Sequence, residues 1–174
     1  IYNYPYYPEH MKKHGYVKET GWLEYRITIP TVVPERVKKL SEVVLERYNL
    51  KLIKKTKSEV MREKYGQKIF QLINETYCNL YGFSLLSPKQ IDQFVDAYLG
   101  VVNMKMLTFV ENEHGELVGA ALTMPSIASA LQKCNGELFP IGWWHILKSM
   151  YWKPTDTLEL LLIGVKPEYQ NKAV

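Results

Sequence analysis

The sequence predicts an α+β fold of the three-layer type, with a central sheet flanked by helices. Three observations point there. From residue 50 onward, short strand-like runs are interspersed with helical stripes. Met104–Glu111 and Glu116–Met124 flank the polar turn Asn112-Glu113-His114-Gly115, which reads as an antiparallel hairpin. The apolar run Leu158–Val165, broken only by Glu159 and Gly164, is too short for a helix and suits a central strand covered on both faces.

The elements follow in order. The first thirty residues are rich in aromatics. Pro8 can open a short helix over Glu9–His14, which Gly15 ends, and Tyr16–Glu19 and Trp22–Ile29 read as two strands around Thr20-Gly21. Pro30–Pro34 punctuates the chain. Glu35–Tyr48 carries Val37, Leu40, Val44 and Tyr48 on one helical stripe, with Asn49 closing it, and Leu50–Lys54 is the next strand. Ser58 is the expected cap of one long helix whose Met61, Tyr65, Ile69, Leu72, Ile73, Thr76 and Leu80 share a face, stopped by Gly82. Ser87-Pro88-Lys89-Gln90 supplies an N-cap serine, a first-turn proline and a capping-box glutamine ahead of Ile91, Phe94, Val95, Tyr98 and Leu99, with Gly100 as the end. After the hairpin, where Gly119-Ala120-Ala121 keeps one strand thin, Ser126–Cys134 and Ile141–Tyr151 are expected as helices before the terminal strand.

Composition narrows the function classes. At 174 residues with 47% hydrophobic content, the chain can bury a core without a disulfide scaffold. Cys78 and Cys134 are far apart and read as reduced, buried thiols. The net charge of +4, from 22 Lys and Arg against 18 Asp and Glu, is a mild excess whose lysines lie among glutamates, so no nucleic-acid partner is expected. No apolar run approaches the ~20 residues of a membrane span, and no signal-peptide pattern opens the chain, so a cytoplasmic location and no membrane partner are expected. Ile1 is not an initiator, which suggests a start inside a longer protein.

Chemistry concentrates at the last strand. Lys166 and Pro167 stop its ladder, and in Glu168-Tyr169-Gln170-Asn171-Lys172-Ala173-Val174 successive backbone N–H groups at a helix start can converge on an anion. The run Gly164-Val165-Lys166-Pro167-Glu168-Tyr169-Gln170-Asn171-Lys172 resembles the signature of the GNAT family of acyl-CoA-dependent N-acetyltransferases, a strand ending in Val-x-Pro followed by an aromatic-Gln or Arg pair and a glycine-rich turn. The sequence departs at Ala173, which stands where the family pattern has its first loop glycine, and a Cβ there narrows the approach of a phosphate.

The resemblance implies a reaction and a site. Acetyl-CoA or another acyl-CoA would be the cosubstrate and a primary amine of a small molecule or protein the acceptor, with no metal. Ile163, Gly164, Val165, Tyr169, Gln170, Asn171, Lys172, Ala173 and Val174 would hold the cofactor, the strand by backbone hydrogen bonds and the loop by its amides. A strand amide from Ile163 to Val165 would polarise the thioester carbonyl. The element order adds an organisation. Residues 1–30 resemble the closing portion of one GNAT-like unit, through Gly15-Tyr16-Val17-Lys18 and Trp22–Ile27. Residues 31–49 would form a linker helix, and 50–174 resemble the first two thirds of another unit, as in tandem members of the superfamily, which implies a mixed, mainly antiparallel central sheet flanked by helices and incomplete at its C-terminal end.

Amine acylation needs a base and a donor to the leaving thiolate, but no protein nucleophile. Glu159 is the candidate base, since alternation groups it with Leu161 and Ile163; a solvated carboxylate paired with a lysine is the alternative. Tyr4, Tyr6 and Tyr7 occupy the region where the family often carries its acid, but in the preceding unit. His145 reads as a core-edge residue and His10 and His14 as surface residues. The aromatic run Phe139–Trp144 cannot all face one core and lines either a pocket or a partner surface where it does not. Two other functions stay open: a GNAT-shaped binding module without catalysis, and a tandem-GNAT aminoacyltransferase dependent on charged tRNA. Oligomeric state has no signature here.

Overall fold

The computed structural model describes residues 3–100, 102–152 and 155–172. The chain divides into two units, Ile1–Val32 and Val33–Val174. The first contains helix α1 (Tyr6–Lys13), which begins after Pro5 and ends before Gly15 at φ +82°. Tyr6 stacks on Tyr7 with ring centroids 4.6 Å apart. The two strands expected over Tyr16–Ile29 do not form, and every described residue of the segment is exposed. The alternation is present, but an isolated hairpin is marginal in water without a third strand or a helix to bury one face.

The second unit is an α+β layer structure. Helix α2 (Glu35–Arg47) leads through Asn49, at φ 50°, into β1 (Lys51–Ile53). The single long helix expected next is two: α3 (Lys57–Arg62) and α4 (Tyr65–Tyr77). Its cap is Thr56, not Ser58. The Thr56 hydroxyl accepts from the Glu59 amide at 3.3 Å, while the Glu59 carboxylate accepts from the Thr56 amide at 2.8 Å. The break falls at Lys64, in the left-handed region at φ 54°. Val60 and Tyr65 are both buried. On one straight helix they would lie about 140° apart; the break turns both inward.

Helix α5 (Pro88–Leu99) starts at the expected Ser87–Gln90 capping box. A 3-10 turn, Met104–Met106, precedes the hairpin of β2 (Leu107–Glu111) and β3 (Leu117–Pro125). Its turn is organised by Asn112, whose side-chain oxygen accepts from the His114 and Glu116 amides at 3.0 Å each, and by Gly115 at φ +75°. Helices α6 (Ala128–Lys133) and α7 (Gly142–Leu147), with a π-helical turn at Lys148–Trp152, lead to β4 (Leu158–Val165).

The four strands form one antiparallel sheet in the order β1-β2-β3-β4. The core lies between one sheet face and α3–α4, where Val60, Tyr65, Ile69, Leu72 and Ile73 meet Leu107, Phe109, Leu117 and Ala120. Two expectations are corrected. The terminal strand is not central and covered on both faces: β4 is outermost among the described residues, and Leu158, Leu160, Leu161 and Ile163 are 45 to 56% exposed. Both cysteines are free, and Cys78, beyond the end of α4, is exposed rather than buried. No helix among the described residues is long and apolar enough to cross a membrane.

Candidate functional site

The outer edge of β4 is built by its register. Leu162 pairs with Leu122, but the next pair is Leu160 with Thr123, so Leu161 is an extra residue and β4 carries a bulge there. The bulge reverses the alternation. Glu159 pairs with Met124 and Ile163 with Ala121, positions three apart on β3, so the two side chains lie on opposite faces of the sheet. Alternation alone grouped them together. Glu159 is also four residues from Ile163, about 13 Å along the strand. Among the described residues no ion pair engages it.

Which backbone groups face outward follows from three hydrogen bonds. The Lys166 amide donates to Val118 O at 2.8 Å, making that pair a hydrogen-bonded one. In an antiparallel ladder such pairs alternate with pairs whose N–H and C=O both point away from the partner. Gly164 and Leu162 therefore bond to β3, while Val165 and Ile163 turn their backbone groups to the free edge. Their carbonyls confirm the phase. Ile163 O accepts from the Tyr77 hydroxyl at 2.8 Å, and Val165 O accepts from Gln170 Nε2 at 2.8 Å. The N–H groups of Ile163 and Val165 lie along the same open edge, two residues and about 6.6 Å apart.

Gly164 sets the distance between β4 and α4. A Cβ there would sit 3.2 Å from Thr76 Oγ1, 3.4 Å from Ile73 Cδ1 and 3.5 Å from Leu72 Cγ. Its bareness lets the helix come close enough for Tyr77, at the last position of α4, to reach the strand edge. Tyr77 was not singled out by sequence reasoning, although it follows the buried Ile73 by four residues, the helical spacing that flags it.

The turn after β4 is a short 3-10 turn, Pro167–Tyr169. The Tyr169 amide donates to Lys166 O at 2.9 Å and the Gln170 amide to Pro167 O at 3.2 Å, so both are engaged within the turn. The Gln170 carboxamide closes the strand end through Val165. Asn171 is left-handed at φ 59°, and the Lys172 ammonium lies 5.1 Å from the Tyr48 ring centroid and 5.7 Å from that of Tyr169. Ala173 and Val174 lie outside the described residues. Beside the strand end, an open cavity of about 280 Å³ is lined by Lys68, Gln71 and Glu75 of α4 with Glu116 and Lys166. Its two lysines face two glutamates, so its charge is balanced.

The described chain is thus an α+β unit whose outer strand presents two unpaired amides beside a helix-borne tyrosine. Among curated proteins, it is similar to one named bacterial ceramide synthase from Caulobacter vibrioides (strain NA1000 / CB15N), 24% identical over 170 residues, covering 92% of this chain and 41% of that protein. It is also similar to protein YghO of Escherichia coli (strain K12), 26% identical over 172 residues, covering 95% of this chain and 42% of that protein. The chain therefore spans about two fifths of the length of these relatives. No protein-family model matches it, and no solved structure does.

Proposed function

We propose that the chain forms part of an acyl-CoA-dependent N-acyltransferase that joins an acyl group to a primary amine. The observation that carries this reading is the pair of outward amides, Ile163 N–H and Val165 N–H, on an accessible strand edge. An acyl-pantetheine arm is an extended chain with its own amides and can pair with such an edge as a strand does. At about 6.6 Å separation, the two amides serve different atoms. Val165, nearer the turn, binds an amide of the arm, and Ile163 binds the thioester oxygen. Attack of the neutral amine on the thioester carbon places negative charge on that oxygen, where the Ile163 N–H stabilises it. The C–S bond then breaks, the electron pair leaves with the thiolate, and the proton lost by the amine ends on the thiol.

Tyr77 acts as a positioning residue, fixing the Ile163 peptide through its carbonyl. The basic and polar residues beyond the strand, Lys172 and Asn171 first, would meet the diphosphate. The name of one relative bears on the acceptor: a ceramide is the amide of a fatty acid with a long-chain amino alcohol, so a lipidic amine and a fatty acyl donor are included in the reading. The test is to incubate the full-length protein with acyl-CoA donors from acetyl to long-chain and with primary amines including a long-chain amino alcohol. Released thiol and amide product are then measured by mass spectrometry. Amide formation that requires both substrates supports the reading. Saturable acyl-CoA binding without thiol release for any amine would replace it with a non-catalytic binding module, and dependence on charged tRNA would replace it with aminoacyl transfer.

A further inference from the structure

The β4 edge is asymmetric in what it leaves free. Over residues 163–165 the outward backbone groups are the carbonyls and N–H groups of Ile163 and Val165. Both carbonyls are engaged by side chains, each from a different element. The Tyr77 hydroxyl, at the last position of α4, donates to Ile163 O at 2.8 Å, and Gln170 Nε2, just past the 3-10 turn, donates to Val165 O at 2.8 Å. Neither N–H has a partner among the described residues. What remains open is an edge of donors. The two caps are held in place. The Tyr77 ring meets Phe83 edge-on, with centroids 5.8 Å apart. Phe83 lies in the loop after α4, and Asn74 ties that loop back to the helix: its Nδ2 donates to Leu86 O and its Oδ1 accepts from the Leu86 amide, both at 2.9 Å. Gln170 is five residues from Val165, and the turn between them brings its carboxamide back to the strand.

An added polypeptide strand needs both kinds of group from an edge, since its own N–H groups require acceptors as its carbonyls require donors. Here its N–H groups would meet carbonyls that are already bonded. A carbonyl oxygen keeps a second lone pair, but each amide has one proton and no partner, so a ligand that brings oxygen acceptors gains most. We infer that Tyr77 and Gln170 determine ligand specificity at β4. By capping the outward carbonyls they make the edge select an extended ligand through its oxygen acceptors, thioester and amide carbonyls, and not through its N–H groups. The inference rests on the acyl-CoA reading and names the atoms of the arm that the site recognises: the arm pairs with β4 by one half of the strand pattern.

The test compares acetyl-CoA with an analogue in which both amides of the pantetheine arm are esters, a change that keeps every carbonyl and removes every N–H of the arm. Binding of each to the full-length protein is measured by calorimetry, for the wild type and for the variants Tyr77→Phe and Gln170→Ala. The wild type should bind the diester within about fivefold of acetyl-CoA, because no arm N–H is required. In at least one variant the freed carbonyl takes up an arm N–H, so the preference for acetyl-CoA over the diester should rise by about 2- to 13-fold, the worth of one hydrogen bond. The readout is a ratio of affinities, so a general loss of binding and the weaker acceptor strength of an ester cancel between proteins. A wild type that binds the diester more weakly than expected would overturn the inference, as would a ratio unchanged in both variants. Either result leaves acetyl-CoA binding, and with it the acyl-CoA reading, intact. A wild type that binds neither ligand would refute that reading itself and this inference with it.

Discussion

Replacing Ile163 by proline removes one N–H from the β4 edge and nothing from the ladder. In the observed register Ile163 is a non-hydrogen-bonded position, so its amide makes no bond to β3, and edge strands accept proline at such positions. Ile163 is 51% exposed, so the loss of apolar burial is also small. If that amide stabilises the thioester oxyanion, deleting it should lower kcat by about 10²–10³, the cost of removing one oxyanion donor, or roughly 2.7–4 kcal/mol. Leu162→Pro is the control: it removes a ladder bond to Leu122 from a residue packed on the core, and should cost about 3 kcal/mol or more of folding stability. Thiol release from acyl-CoA and urea unfolding, measured on both variants, separate the two effects. A stable Ile163→Pro protein with an unchanged kcat would refute the assignment. So would loss of stability as large as that of Leu162→Pro, because it would mean the ladder phase is the opposite one.

Further expectations follow from the same geometry. Val165→Pro should weaken acyl-CoA binding by about 2- to 13-fold, one hydrogen bond of about 0.5–1.5 kcal/mol, with kcat little changed; calorimetry reads it, and an unaltered affinity counts against the arm-binding role. Glu159→Gln should alter kcat by less than about threefold, because a base must lie within hydrogen-bond or single-water reach and Glu159 is four residues, about 13 Å, along the strand from Ile163; a hundredfold loss would identify it as the base. Gly164→Val should cost about 1–3 kcal/mol in urea unfolding, since its Cβ alone already crowds Thr76 and Ile73, whereas a neutral result would place α4 farther from β4. The Glu59 carboxyl is held below its ordinary value of 4.5, chiefly by its side-chain hydrogen bond with Thr56. Its stabilisation of α3 is therefore complete above about pH 4.5 and lost as pH falls through the lower folded value. Acid titration followed by circular dichroism should show a steeper loss of helix in the wild type than in Glu59→Gln, and parallel curves would contradict the capping geometry.

Where a signal was local, the sequence carried it. Ser87-Pro88-Lys89-Gln90 specifies a helix start by itself, and Asn112 with Gly115 specifies a hairpin turn, so both were legible. The cap was misread at Ser58, although the signal for Thr56 was present in Glu59 three residues on, a partner that Ser58 lacks in Met61. The break at Lys64 was not legible, because no glycine or proline marks it; the need to bury both Val60 and Tyr65 imposes it. Strand β4 was legible in its bounds but not in its place. An apolar run reports what a strand is able to bury, and sheet order depends on partners that composition does not name. The bulge at Leu161 lies within Leu160-Leu161-Leu162, three identical side chains among which no register can be read. Over Tyr16–Ile29 the alternation was real, but a pattern without a surface to cover yields no strand.

The most direct measurement of the central claim is amide hydrogen exchange at Ile163, Gly164 and Val165, followed by NMR with and without acyl-CoA. In the free protein Gly164 should exchange slowly and its two neighbours quickly. Acyl-CoA should then slow Ile163 and Val165 by about tenfold or more while leaving Gly164 unchanged. Rapid exchange at Ile163 and Val165 that persists at the highest soluble acyl-CoA concentration, or protection of both before any acyl-CoA is added, would contradict the account.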